Sequence, residues 1–424
     1  MCKEGDHLDV YGDRSELHIG ESKTVYLEGR QSIEAIKRTQ KIVQAFEDGF
    51  LTKAMDQLQG CATSDELPDR HSSIIKTLVN GVTSEVGRAL VGLTCLQLAI
   101  KSIEPEQSIR LHKGGKSNSR FSWQEGISMR TLDNTFNTPF LREYGLLKLN
   151  KDGIMMTRSL AENYPYSRLY KAEMRGPIKS WVEILELAES GKMPPYPALR
   201  FLLSLLKNNS DNFIAKAERV ISLAKHINVG FSDATRMIMH FFSSTTYSAR
   251  AFEVALHSFI QALSEMRFID GTLVPLSQMR SANKKHGNVG DIELKHGNII
   301  VESWDAKFGK PYLRDELEEL NDKLEYHPYL EIAGFIVNTD VIRSNEIIQR
   351  AEEISIIHEC EVHLFSFNEW INLKSRGLSE NQQRELGQRW ILALVESFSQ
   401  KRPELAPIDE PCDAWLDGLI DMLS

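Results

Sequence analysis

The 424-residue chain carries a net charge of −9, with 42% hydrophobic and 26% charged residues, the balance of a folded protein of two or three domains and not of a disordered or fibrous one. No apolar run approaches the ~18 residues of a membrane span, and the polar, acidic start MCKEGDHLDVYGDR predicts no cleaved leader. Five scattered cysteines (Cys2, Cys61, Cys95, Cys360 and Cys412) without a CxxC pair argue against a disulfide framework or a structural zinc module and predict a reducing cytoplasm.

In chain order, residues 1–30 show no clear period and predict an irregular lead. From Gln31 to Gln59, Ile33, Ile36, Ile42, Val43, Phe46 and Leu51 recur near helical spacing, and a second helical run follows from Ile74 to Ile103. Together these make residues 1–104 a mostly helical region. Residues 105–175 read as a separate module: an extended arm, a helix interrupted near Asn137–Pro139, and the hairpin LLKLN-KDG-IMMTRS. Thr138 is a good N-cap with Pro139 at the first helical position, and Gly145 ends that helix. Residues 176–243 read as a helical connector, with MPPYP (193–197) as a linker. From 244 onward the order is helix, strand, strand, strand, helix, strand, helix, strand. The predicted fold class is therefore an α/β domain with a mixed central β-sheet flanked by helices, behind a mainly helical N-terminal half. The final run AWLDGLIDML predicts an amphipathic helix. Its apolar side, with Trp415, Leu419, Ile420 and Leu423, offers a surface for self-association.

Charge is unevenly spread. Between Arg110 and Arg175 there are 12 Lys/Arg against 6 Asp/Glu, whereas the chain from Pro403 onward has 6 acidic residues and no basic ones. A confined basic surface fits a nucleic-acid reader better than a chain that grips DNA throughout.

The segment GDIELKHGNIIVESWDAKFGK (290–310) carries the chemistry. Phosphodiester hydrolysis needs a divalent metal held by carboxylates, and a lysine beside the phosphate to orient or deprotonate water. Asp305 and Lys307 lie two apart on one strand and so share a face. Whether Asp291 joins them depends on register. A two-residue turn at His296–Gly297 pairs Asp291 with Glu302 and turns it away. A three-residue loop, His296–Asn298, pairs it with Ser303 and brings it to the same face. Gly297 favours the longer loop. Glu253, bracketed by Phe252, Leu256 and Ile260 on an amphipathic helix, needs a partner such as a metal. Glu302 competes with Asp305 as the second acid. Glu293-Leu294-Lys295 is a chance triplet of the same form.

These residues resemble the PD-(D/E)XK nuclease superfamily, which includes many type II restriction endonucleases. Glu253 matches its first helix, Gly290-Asp291 the first acid, and Asp305-Ala306-Lys307 the acid-x-Lys position. Gly290 stands where the name-giving proline would be. The resemblance implies magnesium-dependent hydrolysis of double-stranded DNA, with manganese as a substitute, often by homodimers. Asp291, Asp305 and Glu253 would be the metal-holding acids and Lys307 the fourth catalytic residue.

The 105–175 module resembles a winged helix-turn-helix, in which one helix enters the major groove and a hairpin touches backbone. Arg130, Thr131, Asp133 and Asn134 suit base edges. Lys113, Lys116, Arg120, Lys148, Lys151 and Arg158 suit phosphates, as do Lys284 and Lys285 near the acids. No P-loop, GxSxG or HExxH is present, so no nucleotide triphosphate is expected as a partner, nor serine hydrolase or zinc protease chemistry. The expected function is sequence-specific DNA cleavage of restriction type. The alternatives are a modification-dependent or repair nuclease of the same fold, and an inactive winged-helix binding and assembly protein.

Overall fold

The computed structural model describes residues 5–58, 67–82, 87–112, 123–147, 149, 152–154, 160, 164–170, 174–276, 288–399 and 412–424. The chain forms two compact units, Met1–Asn212 and Phe213–Ser424. No described helix is long and apolar enough to cross a membrane.

The first unit opens with a three-stranded antiparallel sheet, where an irregular lead was expected. Strands β1 (His7–Val10), β2 (Arg14–Ile19) and β3 (Ser22–Leu27) pair in order. Polar residues fill most positions and burial does not alternate; the consecutive Ser15, Glu16 and Leu17 on β2 are the buried ones. Gly20, at φ +58°, makes the tight β2–β3 turn that the pairing of Ile19 with Ser22 requires.

Helices α1 (Ile33–Glu47), α2 (Phe50–Asp56), α3 (Asp69–Asn80) and α4 (Arg88–Ile103) follow. Ser32 caps α1 by accepting from Ala35 N–H. Helix α4 is apolar nearly all round and is buried from Leu90 to Lys101, as such a helix must be. Gln97 within it is satisfied: it accepts from Trp181 Nε1 at 2.9 Å and donates to Ile109 O at 3.0 Å.

The expected reader helix is continuous where an interruption was predicted. Helix α5 (Met129–Leu132), a π-helical turn (Asp133–Asn137) and α6 (Thr138–Glu143) run on without a break. Thr138 is not an N-cap; its hydroxyl donates to Asp133 Oδ1 at 2.9 Å. The π turn is a widened loop of backbone that can take Pro139 without breaking the helix. Gly145, at φ +63°, ends the run as its position predicts.

No strand is present among the described residues of 146–160, so the expected wing is not found there. Leu146, Leu147, Leu149 and Ile154 are all buried, which breaks the period-two pattern of a half-exposed hairpin. A Cβ at Gly92 of α4 would stand 3.2 Å from Ile154 and 3.5 Å from Leu149. Leu149 and Ile154 thus pack beside α4.

Residues 176–243 are largely helical and hold the boundary between the two units, and they also contribute to both cores. Helix α7 (Ile178–Glu189) packs on α3 and α4 in the first unit's core. MPPYP is a helix start: Met193 is buried and Pro195 opens α8 (Pro195–His226), where proline's missing N–H costs nothing. Helix α9 (Phe231–Ser244) packs on α10 (Ser248–Glu265) and α14 (Glu380–Ser399) in the second unit, so that unit begins earlier than 244.

The second unit is α/β around a five-stranded mixed sheet in the order β4 (Thr272–Leu273), β5 (Ile292–His296), β6 (Ile299–Lys307), β7 (Ile332–Val337), β8 (Glu361–Ser366). The first three pair antiparallel and the last three parallel, as the element order predicts. Ile292, Leu294, Trp304 and Ile336 face a core with α10, α13 (Phe367–Lys374) and α14. Ala333, Phe335 and Val337 face the other way, into a second core with α11 (Arg314–Leu324) and α12 (Asn345–His358).

The C-terminal helix α15 (Cys412–Leu423) closes the unit. Trp415, Leu416, Leu419 and Ile420 are buried against α9 and α14. Trp415 Nε1 donates to Thr246 O at 2.9 Å, and Lys216 holds Asp413 and Asp417 at 2.9 and 2.8 Å. The apolar face expected to mediate self-association is spent within the chain. All six tryptophans are buried, Trp123 and Trp181 in the first unit and Trp304, Trp370, Trp390 and Trp415 in the second.

Candidate active site

The β5–β6 hairpin follows neither expected register. His296 pairs with Ile299, leaving the two-residue turn Gly297–Asn298, with Gly297 at φ +62°. Carried on unbroken, that register would set Asp291 across from Trp304 and turn it to the wrong face. A β-bulge intervenes: Lys295 pairs with Ile300 but Leu294 pairs with Glu302, so Val301 is the extra residue. Ile292 then lies opposite Trp304, and one step further brings Asp291 to Asp305. Turn and bulge together consume the same residue count, modulo two, as the three-residue loop expected from sequence.

The approach of Asp291 is fixed on both sides. Its N–H donates to Trp304 O at 2.9 Å, and its Oδ2 accepts from Ala306 N at 3.0 Å. Before it, Glu293 Oε1 accepts from Val289 N at 2.6 Å and Gly290 N at 3.4 Å, while Lys323 donates to Val289 O at 3.1 Å. Glu293, dismissed as part of a chance triplet, is therefore a positioning residue for the loop leading into the first acid. A Cβ on Gly290 would stand 2.6 Å from Trp304 O and 2.8 Å from Ser303 Oγ. Close approach of backbone to backbone accounts for glycine here.

Asp291, Asp305 and Lys307 come together as expected. Lys307 Nζ is 3.0 Å from Asp305 Oδ2 and lies 5.9 Å over the Phe335 ring. Burial, then the charges of Glu253 and Asp305, push the Asp291 carboxyl well above the ordinary aspartate range, with the Ala306 N–H opposing. Burial alone would depress the Lys307 ammonium. Asp305, Glu316 and Asp291 more than reverse this, so its pKa is raised and the side chain is a cation at neutral pH.

Glu316 on α11 is the member sequence reasoning missed. It lies 3.7 Å from Lys307 and 2.9 Å from Lys310. A signal existed: Leu313 and Leu320, three before and four after, place Glu316 beside the buried stripe of its helix.

Glu253 is near the acids but has a protein partner. It is buried and forms an ion pair with the equally buried Arg250 one helical turn before it, so a metal is not needed to explain its burial. Burial raises its pKa and Arg250 opposes; the charge of Asp305 raises it further. Glu302 stands apart from the Asp291–Asp305 pair. It shares Trp304's side of β6, opposite to Asp305, and bonds Lys374 and the Trp304 indole. His296 sits exposed at the turn, 3.5 Å from Asp270.

The acids outnumber the cations around this point. Asp291, Asp305 and Glu316 face Lys307, and Glu253 acts on Asp291, with Arg250 paired to Glu253 and Lys310 to Glu316. Two carboxyls in contact on neighbouring strands, one of them driven to hold a proton, form a hard-oxygen donor set of the kind that suits magnesium.

Of the expected DNA contacts, Arg130, Thr131 and Asn134 are exposed together on the α5–π turn. Asp133 is not available to a base edge: it is fully buried, accepting from Asn137 Nδ2, Thr138 Oγ1 and Ile154 N at 2.7–3.0 Å. Lys113, Lys116, Arg120, Lys148, Lys151, Arg158, Lys284 and Lys285 lie outside the described residues.

No family model matches the chain, and no curated protein matches it.

Proposed function

We propose that the chain is a magnesium-dependent endonuclease of the PD-(D/E)XK type, hydrolysing phosphodiesters of double-stranded DNA at a specific sequence. The contact of the Asp291 and Asp305 carboxyls, with Lys307 at 3.0 Å from Asp305, carries the reading. Asp291 and Asp305 would hold the metal, and Glu253 adds negative charge behind Asp291. Bound magnesium supplies charge stabilisation at the phosphate and lowers the pKa of water.

The protein's own groups divide the remaining work. Lys307, whose proton affinity is raised by three acids, is not a base in this state. It donates a hydrogen bond that orients water and balances charge building on phosphate oxygens. Glu316, shared between Lys307 and Lys310, holds the lysine in place. Arg130, Thr131 and Asn134 present a polar exposed helix face, fitted to reading base edges in the first unit. One acid cluster cuts one strand, so cleavage of both strands would use a homodimer.

Asp305→Ala tests the reading. Cleavage of mixed plasmid DNA in magnesium should fall by at least ~10³-fold, the scale for loss of a group that stabilises the transition state, while a gel shift without metal stays within a few-fold. Undiminished cutting by this variant would overturn the mechanism.

A further inference from the structure

A second cluster of ligating side chains lies in the N-terminal sheet, in the other unit from the acids. On one face of the β1–β2 pair, four residues form two cross-strand pairs: His7 opposite His18, and Asp9 opposite Glu16. Residues two apart on a strand share a face and directly opposite residues are ~5 Å apart, so all four side chains meet.

Glu16 is already neutralised, accepting from Arg14 Nε at 2.8 Å and paired with Lys23 at 2.7 Å. The other three converge. Ligand atoms of His7, Asp9 and His18 all lie within 4.8 Å of one another. The two imidazoles stack with centroids 4.3 Å apart and planes 8° from parallel.

The tautomer of His7 is set independently. Its Nδ1 lies 2.8 Å from Gly5 O. A carbonyl only accepts, so Nδ1 carries the proton and neutral His7 keeps its lone pair on Nε2. That nitrogen lies 3.5 Å from Asp9 Oδ2. A backbone carbonyl on the far nitrogen is the usual way in which a protein orients a metal-binding histidine.

We infer that His7, Asp9 and His18 bind a divalent transition metal of the zinc class, pinning β1 to β2. Two imidazoles and one carboxylate are zinc-type ligands, unlike the all-oxygen set of the acid cluster. Tetrahedral ligands at ~2.0 Å stand roughly 3.3 Å apart, so small side-chain rotations close the site and leave a fourth position for water. The metal crosslinks two strands that bury little apolar surface and so tightens the hairpin.

The test titrates the full chain with Co²⁺ and then Zn²⁺, with millimolar Mg²⁺ present throughout. The expected result is one equivalent of Co²⁺ with the visible bands of a four-coordinate ion, displaced by Zn²⁺. His7→Gln, His18→Gln and Asp9→Asn should each weaken binding by at least ~100-fold, the upper end of what loss of even an outer partner costs. Asp291→Asn should leave it unchanged. Far-UV circular dichroism checks that each variant is folded, and Asp9→Asn is the near-isosteric control. Binding that survives the two histidine variants, that is lost with Asp291→Asn, or that never saturates overturns the inference.

Discussion

Asp291 sits where a proton is favoured over a charge, because burial and two neighbouring acids all act against ionisation. The native state thus binds more protons than the unfolded state between the ordinary aspartate pKa and the raised one. Stability falls as pH rises through that window. Asp291→Asn should therefore stabilise the second unit at neutral pH, by about 1 kcal/mol or more, within the usual range for single substitutions. The gain should shrink as pH falls below the ordinary aspartate value of 3.8, where the wild-type carboxyl becomes protonated in both states. Thermal melts at several pH values without divalent ions check this; a destabilised variant at pH 7 would show that the acids are better compensated than their contacts imply. His112 gives the opposite slope in the first unit. Burial, aided by the charge of Arg130, lowers its pKa from 6.5 to about 4. The unfolded state then binds more protons across that window, so stability is full above pH 6.5 and declines toward pH 4, by about 3 kcal/mol at ~1.4 kcal/mol per unit. His112→Gln should flatten the decline in a denaturant series. At this scale the sequence made Asp291, Asp305 and Lys307 legible, because acid-x-Lys on an apolar strand is a pattern of types and spacing. Arg250 as the partner of Glu253 and Glu316 beside Lys307 depend on how helices face the sheet, which spacing on one strand does not encode.

The bulge at Val301 makes the hairpin tolerant on one side and intolerant on the other. Deleting Val301 removes the residue left unpaired with β5, at the loss of the one bond from Glu331 N–H to the Val301 carbonyl; Leu294 can still meet Glu302, and Asp305 keeps its face. Deleting Ser303, past the bulge, moves Asp305 into Trp304's place and turns it to the opposite face. Cleavage should survive the first deletion within about tenfold, allowing for a changed strand twist, and vanish in the second. Equal loss in both would mean that the bend itself, not the parity, positions the acid. Elements were legible where apolar content was high: β6 and β7 of the second unit are rich in Ile, Val, Phe and Trp. Strands β1–β3 were missed because Asp9, Glu16, His18, Lys23 and Thr24 occupy most of the alternating positions, leaving periodicity too faint to read. The described residues of the expected wing show no strand, and Leu146, Leu147 and Leu149 there are buried in the first unit's core.

Each unit has its own apolar interior, and the proposed reader and cutter fall in different units. Binding and cleavage should then separate genetically. Arg130→Ala should weaken DNA binding and reduce the slope of log affinity against log salt by about 1 if it contacts a phosphate, or relax sequence preference by ~1–3 kcal/mol if it contacts a base. Single-turnover cleavage at saturating enzyme should change little. A salt slope and sequence preference both unchanged would remove Arg130 from the interface.

The six buried tryptophans have a use in this setting. Indoles shielded from water emit at shorter wavelength and shift to the red on exposure, so the intact chain should fluoresce as one blue-shifted population. Replacing Trp123 and Trp181 by phenylalanine would silence the first unit and leave the light of four indoles in the second. The difference between the two emission curves on heating would then record whether the halves melt together or in turn.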